Sequence, residues 1–115
     1  MSLGEQQKLF AKYFGLLLVW LYDNGYECSI DEVLRTQAQT AINVAAGSGI
    51  TNSLHILHLA GDINIFKDGK FLTTVDEIRP VGEQWKTYHP LCRWGGDFHT
   101  RPDADHFSME YNGVK

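Results

Sequence analysis

The sequence has no surplus of positive charge, which is the usual mark of proteins that bind nucleic acid through its phosphates. Lysine and arginine number 10 against 14 aspartates and glutamates, so the formal net charge is −4. No stretch gathers the basic residues into a stripe. Proteins that rely on the phosphate backbone carry the opposite balance. We therefore expect no nucleic-acid partner.

Long apolar runs are also missing. The run Gly15–Leu21 (GLLLVWL) is far shorter than the ~20 apolar residues that a membrane-spanning helix needs. The residues before it are polar and of mixed charge, unlike the basic start and cleavage site of a secretory signal. The sequence therefore predicts that the protein does not insert into a membrane. It also predicts that the protein is made in the cytoplasm without a signal peptide.

Cysteine is scarce, since Cys28 and Cys92 are the only two and form no CxxC pair. One disulfide or two reduced thiols are both compatible with this count, and a protein made in the cytoplasm favours the thiols. Internal repeats and low-complexity segments are absent too. A length of 115 residues suits one domain, so we expect a single domain over 1–115. No pattern specifies an oligomeric state, and a monomer is favoured.

Apolar residues at three- and four-residue steps predict a first helix over Gly4–Asn24, ended by the turn-forming residues around Gly25. A second helix is predicted to begin at a cap, either Ser29 or Asp31, and to run to about Ala46.

The second half of the chain has strand signals. Alternation over Leu59–Phe66 and the turn pair Asp68–Gly69 predict a β-hairpin that returns through Lys70–Thr74. A helix with Pro80 near its start is expected next. The later expectations, in chain order, are a helix over Val75–Tyr88, a glycine-containing bend over Cys92–Phe98 and a strand over His106–Tyr111. This order predicts an α+β domain with a small antiparallel sheet packed with helices.

Three residues could hold a metal ion. His55 and Asp62 flank the start of the predicted hairpin, and His106 opens the last strand. Zinc in hydrolytic sites takes three protein ligands of these types and leaves one position for water. Spacing alone does not select this triplet, because five histidines offer several. Other divalent ions could use the same ligand types.

Two separated motifs are more specific. Residues 53–62 fit S-x-H-x(4)-A-x-D, and residues 103–107 contain D-x-x-H-F, with the segment RWGGD (93–97) between them. Together they resemble the zinc peptidases that include D-alanyl-D-alanine carboxypeptidases and phage L-alanyl-D-glutamate endopeptidases. These enzymes share their fold with the hedgehog signalling domain. The resemblance covers about residues 32–110 and is strongest to short phage or prophage endolysins.

The resemblance implies roles for the metal-site residues. It makes His55, Asp62 and His106 the Zn²⁺ ligands and Asp103 the catalytic carboxylate. A carboxylate that does not bind the metal can take a proton from water and pass it to the leaving amine. Asp105 is the rival for this role, although in an extended segment it would point to the opposite side from its neighbour His106.

The resemblance also implies substrate contacts. Arg35 and Gln39, four residues apart, match an arginine and a glutamine that flank the substrate in the family, and Ser53 matches the motif serine. Arg35 could bind an oxyanion or a substrate carboxylate, or could be a solvated helix charge. His58 stands where the family often has glycine, or arginine in some phage members, and is interpreted as a substrate contact or a support for the site. Ser108 replaces a glutamate of many members that is not a ligand.

Several neighbouring residues keep two interpretations. Asp97 could orient a ligand histidine or cap a turn, and Trp94 could line a cleft or lie in the core. His89 is expected at the surface or at a cap, whereas His99 could border the cleft. Asn64 would share a strand face with Asp62.

Three functions follow from these patterns. The first is a zinc peptidase acting on the stem peptides of peptidoglycan, at an L-alanyl-D-glutamate, D-alanyl-D-alanine or cross-bridge bond. By resemblance, such a phage lysin would act at the cell wall after holin-type release. The second is a non-catalytic, zinc-stabilised cell-wall-binding module. The third, a small histidine-metal nuclease, is disfavoured by the acidic net charge.

Overall fold

Helices at two points of the chain pack against one antiparallel sheet in the computed structural model, which describes residues 1–32 and 54–115. In chain order the elements are α1 (Leu3–Asp23), β1 (Tyr26–Glu32), β2 (Ala60–Lys67), β3 (Lys70–Phe71), α2 (Val75–Lys86), β4 (Cys92–Trp94), a short 3-10 turn (Gly95–Asp97) and β5 (His106–Met109). The α+β prediction with an antiparallel sheet is confirmed.

Helix α1 forms where apolar periodicity predicted it. Ser2 caps its start, since the Ser2 hydroxyl accepts a hydrogen bond from the Glu5 amide at 3.1 Å. The inward stripe is fully or almost fully buried and consists of Phe10, Phe14, Leu17 and Leu21. No helix in the described ranges, α1 included, combines the length and the hydropathy that a membrane crossing requires.

The sheet has the strand order β1-β2-β5-β4, with β3 paired to β2 beyond the hairpin. In β1, Tyr26 pairs with Lys67 and Ser29 with Asn64. The predicted helix start at Ser29 or Asp31 is therefore wrong, because pairing with a distant strand overrides a local cap signal. The rest of that predicted helix lies outside the described residues.

Helix α2 begins at a capping box. The Thr74 hydroxyl accepts from the Glu77 amide at 3.2 Å, and a Glu77 carboxylate oxygen accepts from the Thr74 amide at 3.2 Å. Because Thr74 is the cap, β3 ends earlier than predicted. Pro80 lies inside the helix without ending it.

Trp94 joins α2 to the segment that precedes β5. A Cβ on Gly82 of α2 would lie 2.1 Å from the Trp94 ring, and one on Gly96 would lie 2.3 Å from it, so glycine is required on both sides. The indole nitrogen of Trp94 donates to the carbonyl of Ala104 at 2.9 Å. Trp94 is thus a core residue, and it fixes the loop that leads into β5.

Both cysteines are free thiols in the structure. Cys28 is half-buried in β1 and Cys92 is buried in β4. Burial raises the pKa of the Cys92 thiol to about 12, so this side chain stays protonated and unreactive at neutral pH.

Candidate metal centre

His55, Asp62 and His106 meet at the end of β2 that lies away from the hairpin. Asp62 and His106 are directly opposed residues of the antiparallel pair β2–β5. His55 reaches the same point from a turn before β2, which is closed by a hydrogen bond from the Leu59 amide to the Leu54 carbonyl at 2.9 Å. The structure thus brings together the three residues that the sequence motifs singled out.

The donor atoms of these residues surround a point that a metal ion could occupy. The Asp62 Oδ1 atom lies 3.4 Å from His55 Nε2 and 3.3 Å from His106 Nδ1. One ligand atom from each residue can be chosen so that all three lie within 4.8 Å of one another.

The two shorter distances are compatible with a metal site as well as with long hydrogen bonds. They exceed the usual 2.7–3.2 Å range of hydrogen bonds in which nitrogen donates to oxygen. They match the edge of a tetrahedron with zinc–ligand bonds of about 2.0–2.1 Å, which is roughly 3.3–3.4 Å. The donor set therefore fits zinc.

The surroundings of the Asp62 carboxylate keep it ionised, so that it can bind a cation. Burial alone would raise the pKa of Asp62, but the hydrogen bonds and charges of His106 and His55 outweigh it and hold the pKa well below its usual range. Asp62 is therefore ionised at neutral pH. His55 is almost fully buried at 3% exposure, so its imidazole is held in a fixed position.

Asp103 and Asp105 lie beside this cluster. Partial burial and the nearby charge of Asp62 raise the pKa of Asp103, although the residue remains exposed to solvent. Burial, followed by the charges of Asp103, Asp62 and Asp31, raises the pKa of Asp105 to about 6. Both candidate bases are close enough to the site for its charges to act on them.

The backbone around these two carboxylates is held tightly. Gly95 accepts a hydrogen bond from the Asp103 amide at 2.9 Å, and a Cβ on Gly95 would lie 2.0 Å from the Asp103 carbonyl and 2.9 Å from His106 Cβ. The Asp105 carbonyl accepts from the Ile63 amide at 3.0 Å. The WGGD segment thus sets the position of the Asp103–His106 loop.

The predicted substrate contacts are only partly placed. Arg35, Gln39 and Ser53 lie outside the described residues. His58 is exposed in the turn after His55, with a backbone φ of 58°. Glycine adopts this left-handed conformation without strain, which agrees with the glycine that the family resemblance led us to expect at this position.

Other sequence interpretations are now decided. Within the described residues, the Asp97 carboxylate pairs with two cations of α2, Lys86 Nζ at 2.7 Å and Arg79 Nη1 at 3.8 Å, which neither sequence interpretation had named. His89 is a capping residue, since its Nδ1 accepts from the Leu91 amide at 3.1 Å. The Asn64 amide donates to the Ser29 hydroxyl at 3.3 Å across the strands.

A cavity of about 460 Å³ lies next to the three-residue cluster. Its lining includes Phe98, whose ring centroid is 5.7 Å from that of His106. His99 is one of its lining residues. The full lining is Arg93, Trp94, Asp97, Phe98, His99, Thr100, Arg101 and Lys115.

Sequence reasoning missed one participant at the site. The main-chain oxygen of Lys115 lies 3.3 Å from His106 Nε2 and accepts a hydrogen bond from the Ser108 hydroxyl. The signal that could have revealed this return of the chain is the Asn112–Gly113 pair, which is the strongest short-range indication of a tight hairpin turn.

Comparison with known proteins supplies relatives for this arrangement. The chain is 34% identical over 103 residues to the L-alanyl-D-glutamate peptidase of Listeria phage A118, which covers 84% of this chain and 35% of the relative. The chain thus spans about a third of the length of that relative. The fold is similar to the crystal structure of an L-Ala D-Glu endopeptidase from Serratia marcescens, with a TM-score of 0.74, 23% identity, and coverage of 88% of this chain and 77% of that one.

A family model matches more than half of the sequence. It is described as D-alanyl-D-alanine carboxypeptidase and aligns with residues 46–109, which include His55, Asp62 and His106. The chain belongs to this family of peptidases.

Proposed function

We propose that this protein is a zinc peptidase that hydrolyses a peptide bond in the stem peptides of peptidoglycan. The observation that carries the proposal is the group of His55, Asp62 and His106, whose donor atoms lie within 4.8 Å of one another. The separations of Asp62 Oδ1 from the two imidazole nitrogens, 3.4 and 3.3 Å, are those of a tetrahedral zinc site. Family membership and the two named relatives support the same chemistry. Both relatives bear names for the L-alanyl-D-glutamate bond, so we propose that bond first.

The proposed ligands are His55 through Nε2, Asp62 through Oδ1 and His106 through Nδ1. Zinc in such a site supplies a Lewis acid and makes water a nucleophile near neutral pH. Two neutral imidazoles and one carboxylate leave the site with net positive charge, which suits a developing oxyanion. The cavity beside the cluster, which Phe98 joins to His106, is the proposed place of approach for a peptide.

We assign the general base to Asp103. Its backbone is fixed by Gly95 and its carboxylate accepts from the Asp105 amide, so it is held in place. Its raised pKa brings it nearer to the value at which a carboxylate exchanges a proton with water and the leaving amine. Arg35, Gln39, Ser53 and His58 remain proposed substrate contacts, by resemblance.

Substrate location follows from the proposed reaction. The bond lies in the cell wall, so an enzyme made in the cytoplasm would need the membrane to be opened, as phage holins do. We propose this order of events for a lysin carried by a phage or prophage. The protein then requires a partner that permeabilises the membrane but no direct contact with it.

The central test is digestion of purified peptidoglycan by the zinc-loaded protein, with the released ends identified by mass spectrometry. We expect new amino ends that disappear when a chelator is added and return with zinc. Chelator-insensitive cleavage would exclude the metal mechanism. Bound zinc and an intact fold without any cleavage would instead support a non-catalytic wall-binding module.

Asp103→Asn separates the base from the metal site. We expect zinc affinity to be unchanged and the rate to fall by about 10²–10⁴-fold, the usual contribution of a general base. Asp68→Asn is the matched control, because Asp68 is exposed at the far hairpin and asparagine suits its left-handed backbone. Full activity in Asp103→Asn would reassign the role to Asp105.

A further inference from the structure

The two sides of the candidate site carry opposite charges. On the side of the metal cluster, the pKa of Asp105 is raised by burial and then by the negative charges of Asp103 and Asp62. On the other side, the lining of the cavity of about 460 Å³ includes Arg93 and Arg101. The described chain thus presents carboxylates on one side and guanidinium groups on the other.

The carboxylate of the cavity lining does not neutralise these arginines. Asp97 lines the cavity, but its Oδ2 atom lies 2.7 Å from Lys86 Nζ and its Oδ1 atom lies 3.8 Å from Arg79 Nη1. Both of these cations belong to α2 and are not part of the lining. Because they already compensate the charge of Asp97, the cavity keeps the positive charge of its arginines.

The two arginines of the lining differ in their partners. Arg93 donates through Nε to Glu110 Oε1 at 3.0 Å and through Nη1 to the Pro90 carbonyl at 2.7 Å, so its side chain is held within the protein. Arg101 is exposed, and within residues 1–32 and 54–115 its side chain forms neither an ion pair nor a hydrogen bond. Its guanidinium therefore keeps five N–H donors for a ligand.

Arg101 belongs to the segment that lines the cavity next to the metal cluster. Phe98, His99 and Thr100 precede it in the same lining, and the Phe98 ring centroid is 5.7 Å from that of His106. The volume of the cavity falls within the range of about 300–1,000 Å³ that is usual for small-ligand pockets. A peptide whose scissile bond lies at the cluster can therefore extend its next group into the cavity.

The proposed substrate supplies a group of matching charge. The bond proposed first joins alanine to D-glutamate, as the name of the phage relative states. A glutamate acylated at its nitrogen keeps both carboxyl groups outside that bond, and one of them remains charged when the other extends the peptide. The net charge of −4 and the carboxylates around the cluster repel such a substrate, so a local cation is needed to offset them.

We propose that the cavity is a subsite for a carboxylate of the glutamate half of the substrate, and that Arg101 binds this carboxylate. The inference rests on the proposed function and deepens it, because it assigns a specificity to one side of the scissile bond. The planar guanidinium of arginine can donate to both oxygens of a carboxylate. The subsite then favours peptides with a free glutamate carboxylate over peptides in which this group is an amide.

The test uses two synthetic peptides that contain the L-alanyl-D-glutamate unit. One has free glutamate carboxylates, and the other has both converted to amides, which preserves the size of the groups and removes their charge. Binding of each peptide to the metal-free full chain is measured by isothermal titration. Hydrolysis of each peptide by the zinc-loaded protein is measured separately as kcat/KM.

Three variants separate the charge of Arg101 from the net charge of the protein. Arg101→Gln removes the charge, and Arg101→Lys keeps the charge without the planar fork. Lys67→Gln is the matched control, because it changes the net charge by the same amount at an exposed position in β2, at the hairpin end away from the cluster.

We expect the wild type and Lys67→Gln to bind the free-carboxylate peptide about 10-fold more tightly than the amidated peptide, which is the lower end of the range for hydrogen bonds to charged groups. In Arg101→Gln this ratio should fall to about 1, because affinity for the free-carboxylate peptide is lost and affinity for the amidated peptide is unchanged. Arg101→Lys should be intermediate, and the kcat/KM values should show the same order.

An equal preference in the wild type and in Arg101→Gln would overturn the proposal, since the carboxylate would then be recognised by another cation. A wild-type protein without any preference, or a Lys67→Gln variant that loses it, would overturn it as well. Absence of hydrolysis by the zinc-loaded protein would contradict the proposed function. The binding ratio would still decide whether Arg101 recognises the carboxylate, because it is measured without metal and without cleavage.

Discussion

Carboxylates at the two ends of β2 lie in opposite electrostatic environments. At the hairpin end, Glu77 accepts hydrogen bonds from Lys70 Nζ at 2.7 Å and from the amides of Thr73 and Thr74, which lower its pKa to about 2. At the other end, burial and neighbouring carboxylates raise the pKa of both Asp103 and Asp105. The described chain thus neutralises its charge at one end and accumulates it at the other, where a bound cation would balance it.

The difference between the two ends of β2 is tested most strongly by removing the negative charge of Asp62, which both histidines of the site face. Asp62→Asn should weaken zinc binding by more than about 100-fold, beyond the 10–100-fold typical of losing a supporting residue, because it removes a proposed ligand. Isothermal titration of metal-free protein with zinc measures this. Glu77→Gln, at the opposite end, should leave zinc affinity unchanged, and equal losses in the two variants would contradict a local metal site.

The second-largest expected effect comes from adding a side chain where the backbone at the site end of β2 is tightly packed. Gly95→Ala should destabilise the protein by about 1–3 kcal/mol, since its Cβ would overlap the Asp103 carbonyl and displace the candidate base and His106. Gly15→Ala, in α1 with open space around its Cβ, should stabilise by up to about 1 kcal/mol. Denaturant unfolding of both variants provides the comparison. A neutral Gly95→Ala would show that the loop adapts freely.

The raised pKa of Asp105 predicts a pH dependence at the site end. The pKa of Asp105 in the folded protein, about 6, exceeds the ordinary value of 3.8, so ionisation of Asp105 lowers the free energy of unfolding. The free energy of unfolding is unaffected below about pH 4, and the loss develops as the pH rises through about 6. Asp105→Asn should therefore stabilise metal-free protein at pH 7 by about 1–2 kcal/mol but not at pH 4. Unfolding curves at both values test it, and a gain of equal size at pH 4 would refute the electrostatic cause.

The hairpin end should show the smallest effect, with the opposite sign. The pKa of Glu77 is lowered from 4.5 to about 2, so its contribution is present above about pH 4.5 and disappears as the pH falls through about 2. Glu77→Gln should lower the melting temperature at pH 7 and match the wild type near pH 2. A difference that persists at pH 2 would point to lost packing.

Local patterns predicted the elements whose signals are contained in one segment. Apolar periodicity located α1, alternation located β2, and the helix predicted over Val75–Tyr88 corresponds to α2. The strands β1 and β4 were not found, because each is defined by pairing with a distant segment, as Tyr26 with Lys67 and Trp94 with Phe107. Acidic residues at the end of β1 instead suggested a helix start.

The candidate site was predictable for a different reason. Its residues fall within motifs that the family shares, so the juxtaposition of His55, Asp62 and His106 could be expected without knowing the fold. Contacts made by main-chain atoms could not be expected from these motifs. The contact of the Lys115 main-chain oxygen with His106 is one of them. Pairing partners of exposed charges, such as Lys86 for Asp97, also depend on how α2 packs, which no local pattern specifies.

The exposed Asn112–Gly113 turn also has a consequence for the chemical ageing of the protein. Asparagine followed by glycine deamidates readily, because the unhindered amide nitrogen of glycine attacks the asparagine side-chain carbonyl, ammonia leaves, and water opens the resulting succinimide ring. The isoaspartate product adds a methylene to the main chain, which a two-residue turn does not accommodate. Stored protein would gradually lose the backbone geometry of the segment after β5, although His55, Asp62 and His106 stayed chemically intact.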